Sequence, residues 1–298
     1  MKWDLRNPET WITLLIKVTG YSSILFVALI LFFLLREGLP ALVNIDLKSL
    51  FGTRWYPIEG LFGLLPLVIG SIIVTLGATL IGIPFGIGTA VYLSEIASPW
   101  IKNILKPIIE ILAGLPSVVL GFLGIQIAAP FFRQALNLPT GLTAFTGSVL
   151  LGFISIPTIV SIAEDALNTV PSGYRHGALA LGATRWQTMW GVTVPAAKSG
   201  LLTAVMLGVG RTIGETMAVM MVTGNAPVLP HGLDAFFLPV RTMTATIASE
   251  MGEVATGSPH YQVLFLVGII LFLVSLVVNI VASSLALRSR NRSERLLS

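Results

Sequence analysis

No cysteine occurs in the 298 residues, which excludes disulfides, thiolate metal sites and cysteine nucleophiles. Charge is scarce as well, 11% of residues against 54% apolar ones, far from the balance of a water-soluble domain. The three histidines, His176, His231 and His260, lack metal-ligand spacing. There is no Gly-x-x-x-x-Gly-Lys-Ser/Thr loop to cradle a nucleotide, and nothing calls for a cofactor. Low-complexity linkers and short-period repeats are missing too, which leaves one domain whose main solvent is lipid.

Long apolar stretches are what the chain has instead. A bilayer core of roughly 30 Å needs about 20 mainly apolar residues per helix. Charges bound such stretches at 18–35, 60–94, 111–132, 134–163 and 254–287, and 201–222 is a further one with two charges inside it. The fold expected is all-α and membrane-integral, with six helices over 18–37, 67–93, 103–128, 145–165, 200–223 and 262–286. The first stretch ends at Arg36-Glu37 without a small-residue cleavage pattern, so it reads as a span and not as a signal peptide.

An even number of spans puts both termini on one side. Lys2, Arg6, Lys17, Lys102, Lys106, Arg175, Arg185, Lys198, Arg288, Arg290, Arg292 and Arg295 fall on that side, against Arg36, Lys48, Arg54, Arg133 and Arg241 on the other. The positive-inside rule makes the richer side cytoplasmic. The net charge of +4 thus follows membrane topology and does not point to nucleic acid. The expected division is a cytoplasmic segment 1–17, a transmembrane domain 18–287 and a basic tail 288–298. The loop 38–59, with Asp46, Arg54, Trp55 and Tyr56, reads as solvated, its aromatics suited to the interface.

Between the fourth and fifth spans, 166–198 is more patterned than a connector needs to be. Pro171-Ser172 is a helix start, Gly182 a break and Pro195 a stop, giving two short helices. Ala178, Leu179 and Leu181 offer an apolar face, either for docking a partner or for packing on the chain's own helix ends.

Arg211 lies ~20 Å along its helix from Lys198 at 1.5 Å per residue, near mid-bilayer. Such a charge costs at least about 2.5–3.5 kcal/mol on insertion scales and normally faces a bundle interior or an aqueous path. Glu215 follows four residues on and is expected on the same face, where the two can neutralise each other. A structural ion pair and a transport role both remain open. Base before acid is the weaker order for such a pair, so further partners across the bundle are expected. Glu110 reads as an acid at a helix start, and Gly114-Leu115-Pro116-Ser117 as a kink or a close-packing stripe.

In the segment between spans four and five, His176-Gly177-Ala178 is followed after three residues by Gly182, and after nine more by Val192-Thr193-Val194-Pro195. This resembles the cytoplasmic signature of ABC importer permeases, E-A-A, three residues, G, nine residues, I-x-L-P, with His176 and Gly177 in place of its glutamate and first alanine. The stretches 110–122, 156–167, 178–186 and 210–219 are similar to the phosphate-specific branch. Glu215-Thr216-Met217-Ala218-Val219 with Gly224-Asn225, and Thr246-Ile247-Ala248-Ser249, are closer to its C-type subunits than to the A-type partner. The likeness runs from about residue 60 to 279.

The resemblance implies a type I importer permease in a bacterial or archaeal inner membrane, without an ATPase site of its own. Its implied partners are an A-type permease, an ATPase dimer and an extracytoplasmic phosphate-binding protein. Tyr174, Arg175, His176, Ala178, Leu179, Leu181, Gly182, Arg185 and Trp186 are then candidates for coupling to the ATPase. Arg211, Glu215 and Thr216 are candidates for the substrate path, and Gly114, Pro116, Ser117 and Pro157 for kinks or gates. Guanidinium donors suit phosphate oxyanions, and a site that conducts must also release its ion. An importer for another oxyanion such as molybdate or phosphonate, an ion-coupled secondary transporter and an intramembrane hydrolase are the alternatives.

Overall fold

Helices dominate because a lipid-embedded backbone has to satisfy its own hydrogen bonds. A computed structural model of the chain describes residues 8–295. The expectations for Lys2, Arg6 and residues 296–298, and for the side chains of Arg288, Arg290, Arg292 and Arg295, lie outside the described residues. Among the described residues five helices are long and apolar enough to cross a membrane, with a sixth where a bent pair counts as one span. The first is Pro8–Asn44 and the second Leu65–Ile96, which closes in a π turn over Tyr92–Ile96. Ser117–Ala135 and Ala144–Asn168 are the third and fourth. Arg185–Ala196 and Lys198–Gly214 form the pair, bent by 69°, and Pro259–Arg295 is the last.

The expected third span, 103–128, needs correction. The helix Pro99–Gly114 stops, Leu115 is extended at φ −66°, ψ 133°, and a new helix starts at Ser117. Pro116 is the cause: its ring disfavours the α conformation at the preceding residue, and it offers no N–H to continue the ladder. The expected fifth span, 200–223, is also interrupted. Its helix ends at Gly214, Glu215 is extended at φ −69°, ψ 128°, and a short helix resumes over Met217–Val222. Proline at 157 produces no such break, and the fourth span runs through it.

The second and fourth spans form the most extensive pair. Small residues allow it: a Cβ on Gly86 would stand 2.7 Å from Ile159 Cγ2, the close approach typical of helix contacts in lipid. Around this pair Leu93, Ile159, Val160, Ala163, Leu167 and Leu201 make one buried cluster. The first span packs along the last, with Phe33 and Phe265 edge to face at 5.6 Å. None of its apolar window is buried, so lipid or another chain must cover it.

The loop read as solvated is mostly exposed, Asp46, Arg54 and Tyr56 included, but Trp55 is not. Trp55 is 1% exposed and pairs with Phe62 in a two-stranded hairpin, Trp55–Tyr56 against Leu61–Phe62. Its indole donates to both carboxylate oxygens of Glu250 at 3.1 Å. Glu250 also pairs with Arg241, and its Oε2 lies 2.8 Å from His260 Nε2. His260 therefore belongs to a four-residue cluster that ties this hairpin end to the last span.

Candidate functional site

The two helix interruptions lie against each other. The short helix Met217–Val222 packs on the first turns of the third span, where a Cβ on Gly121 would stand 2.8 Å from Met221 Sδ and 3.0 Å from Ala218 Cα. Each interruption frees backbone groups that need partners, and polar side chains supply them. Glu215 Oε1 accepts hydrogen bonds from the N–H groups of Thr216 at 3.1 Å and Ala218 at 3.4 Å, so this carboxylate sits at the start of the resumed helix. The Glu215 carbonyl accepts from Thr244 Oγ1 at 3.1 Å, and Thr216 Oγ1 donates to the Gly214 carbonyl at 3.2 Å.

Arg211 points elsewhere. Its Nη1 donates to Thr158 Oγ1 at 2.7 Å, and its Nη2 to the Ala113 carbonyl at 3.5 Å. Among the described residues no ion pair joins Arg211 to Glu215 or to any other carboxylate. The expected neutralising pair is therefore absent. The i, i+4 geometry holds only while the helix continues, and unwinding at Glu215 removes it. What results is a half-buried guanidinium at the junction of three helices, met only by a neutral hydroxyl and a neutral carbonyl. Such a group retains a full positive charge with donors to spare.

Of the expected kink positions, Gly114 ends a helix and Pro116 and Ser117 flank the break beside Arg211, whereas buried Pro157 lies within an intact helix next to Thr158. Glu110 lies in the second half of the helix Pro99–Gly114, not at its start. Thr158 is the partner of Arg211 that the sequence reading did not single out. Its contact with Arg211 spans 53 positions, and no local pattern announces it.

The second site is the patterned segment at the basic end. Ser172–Ala180 is a helix, and its termination follows from Gly182 at φ +85°. The Gly182 and Ala183 N–H groups return to the carbonyls of Leu179 and Ala178 at 3.0 and 3.1 Å, the Schellman arrangement that a left-handed glycine allows. Thr184 and Gln187 then cap the next helix reciprocally. Met189 is buried and anchors the segment, while Trp186 and Trp190 meet edge to face at 5.8 Å.

Leu181 is 91% exposed and Trp186 62%, with Tyr174, Leu179 and Trp190 also exposed. Full burial of a single leucine is worth about 1.5–3 kcal/mol, so a clustered apolar surface of this kind marks a contact face. His176 and Arg185 are exposed beside it, Gly182 shapes it and Ala178 is half-buried. Arg175 lines a concavity with His176, Leu179, Arg185 and Trp186 of that face and is only partly exposed. It pairs with Glu95 at 2.8 Å, a partner 80 positions away.

Comparison with known proteins agrees with this architecture. Residues 82–291 match the family described as binding-protein-dependent transport system inner membrane component. A probable ABC transporter permease protein, YqgH of Bacillus subtilis, is 39% identical over 265 residues, 87% of this chain and 85% of that protein. The phosphate transport system permease protein PstC of Haemophilus influenzae is 33% identical over 301 residues, 92% of this chain and 93% of that protein. Among solved structures, the inward-facing MetNI methionine ABC transporter matches with a TM-score of 0.60 at 19% identity, covering 76% of this chain and 95% of that one. A bacterial ABC transporter that imports alginate matches with a TM-score of 0.58 at 14% identity, covering 94% and 99%. These two likenesses concern the fold.

Proposed function

This chain belongs to the inner membrane components of binding-protein-dependent transport systems, and from that premise we propose that it is the C-type permease subunit of an ATP-driven phosphate importer. Permeases of this family are multi-pass inner-membrane proteins that work with a second permease, an ATPase and a binding protein, and they carry no ATPase of their own. For this chain the partners are an A-type permease, two ATPase chains docked on the inner face of the permease pair, with 172–190 as this chain's contact, and an extracytoplasmic phosphate-binding protein. The basic end is cytoplasmic, with both termini there, residues 18–287 form the transmembrane domain and 166–198 the coupling segment.

The observation that carries the reading is the uncompensated guanidinium of Arg211 at the two helix breaks. A cation held only by neutral acceptors attracts an anion, and its planar donors fit phosphate oxygens. Glu215 keeps the exit easy: its carboxylate occupies the start of the resumed helix, where an anion would otherwise settle, so phosphate meets Arg211 without being trapped. Thr216 lies at the same break. The choice of phosphate among oxyanions draws support from the PstC relatives.

Uptake of labelled phosphate into proteoliposomes tests the whole reading. Uptake is expected only with both permeases, ATPase, binding protein and ATP present, with molybdate and phosphonate failing to compete at equal concentration. Uptake driven by an ion gradient without ATP, or strong competition by either anion, contradicts it.

A further inference from the structure

At the basic end one guanidinium ties three elements together. Arg175, on the helix Ser172–Ala180, donates from Nη2 to Glu95 Oε1 at 2.8 Å and to the Leu167 carbonyl at 2.9 Å, and from Nη1 to the Val170 carbonyl at 2.9 Å. Its side chain is 23% exposed and that of Glu95 13%, so water screens the pair only weakly. Leu167 lies in the last turn of the fourth span and Val170 just beyond it, where carbonyls lack intrahelical donors. Glu95 lies in the π turn that closes the second span. The carbonyls at the C-terminus of the fourth span and a carboxylate at the end of the second therefore converge on one cation, and both favour positive charge.

The second and fourth spans are joined again at this level. Ser94 Oγ donates to Asn168 Oδ1 at 3.0 Å, and Lys102 Nζ donates to the Ser94 carbonyl at 3.2 Å. Along the chain, Ser172–Ala180 continues directly from the fourth span and leads, through the bent pair, to the fifth. No short stretch of chain connects it to the second span. The Arg175–Glu95 pair is a direct tie between them.

We propose that Arg175 is a positioning residue, with Glu95 as its partner, that carries displacement of the helix Ser172–Ala180 into the second and fourth spans together. The proposal rests on the reading of 172–190 as the ATPase contact and specifies how force leaves it. An ATPase meets the exposed Leu181 and Trp186, while the less exposed Arg175 and Glu95 lie in the concavity that Trp186 also lines. The planar fork is what the role requires, since it addresses three acceptors at fixed angles, which the point charge of a lysine ammonium does not.

The test uses the complete importer, both permeases with ATPase and binding protein, comparing the parent chain with Arg175→Lys and Glu95→Gln. The chain has no cysteine, so cysteines introduced at Ile96 and Gly173 take spin labels that report the separation of the second span from the coupling helix. In Arg175→Lys the ATPase is expected to co-purify as before and to hydrolyse ATP within about twofold, while the label separation broadens on ATP binding and uptake per ATP falls about tenfold, within the range for residues that carry coupling. Glu95→Gln, which keeps an acceptor oxygen and is the milder change for folding, is expected to give a smaller loss in the same direction. Loss of ATPase co-purification in Arg175→Lys would assign the residue to docking and overturn the proposal, as would parental uptake per ATP in both variants. If the parent complex hydrolyses ATP without moving phosphate, the substrate reading fails while the label separation still decides the role of Arg175.

Discussion

The cluster around Glu250 and the site around Arg211 treat charge in opposite ways. At the hairpin end Glu250 is met by an indole, a guanidinium and an imidazole, and the indole comes from 195 positions away. In the bundle, Arg211 receives only a hydroxyl and a backbone carbonyl, although an arginine at that depth is the more expensive of the two to leave without a counter-charge. A compensated cluster fixes the placement of the elements that meet in it. An uncompensated cation keeps its attraction for something that is not yet there. On the proposed function, the contrast separates a structural site from a transport site more sharply than residue type does, since both contain an arginine and a glutamate.

Glu250→Ala attacks the compensated side and has the largest expected effect on stability. It leaves Arg241 without its counter-charge and the Trp55 indole without its acceptor, and breaking a largely buried ion pair costs about 3–5 kcal/mol. Thermal unfolding of the purified permease pair should show this as a clear drop in midpoint. If stability is unchanged, Glu250 is no structural tie and the comparison fails.

Thr158→Val attacks the other side. The shape is kept and the hydroxyl at 2.7 Å from Arg211 is removed; a hydrogen bond to a charged group is worth about 1.5–3 kcal/mol. Phosphate uptake is expected to fall about tenfold, the equivalent of ~1.4 kcal/mol, with the unfolding midpoint lowered by a few degrees, less than in Glu250→Ala. Leu181→Ser has the smallest expected effect on the fold, within about 0.5 kcal/mol for an exposed position. It should nevertheless weaken co-purification of the ATPase severalfold. Normal co-purification would remove Leu181 from the contact face.

Much of this was legible in advance, because lipid imposes long apolar stretches and loop charge follows topology. The spans around 67–93 and 145–165 match the helices Leu65–Ile96 and Ala144–Asn168 closely, and Gly182 ends its helix as its position suggested. The breaks were harder to read. Pro116 announced a disturbance, but whether a proline kinks, breaks or leaves a helix intact depends on its neighbours, as Pro157 shows within an unbroken span. At Glu215 nothing local signalled unwinding, because the residues that support it, Thr244 among them, come from later in the chain. For the same reason the ion pair expected from i, i+4 spacing did not form. Trp55, read as an interfacial aromatic, is buried by Glu250 and His260, roughly 200 positions away.

The central claim is that Arg211 is an anion station in the passage and not a structural tie. Phosphate uptake by the reconstituted importer carrying Arg211→Gln, measured alongside its ATP hydrolysis and unfolding midpoint, tests it most directly. The account expects uptake at background level, ATPase assembly intact and a midpoint close to that of the parent. Normal ATP-driven uptake with Arg211→Gln would contradict it.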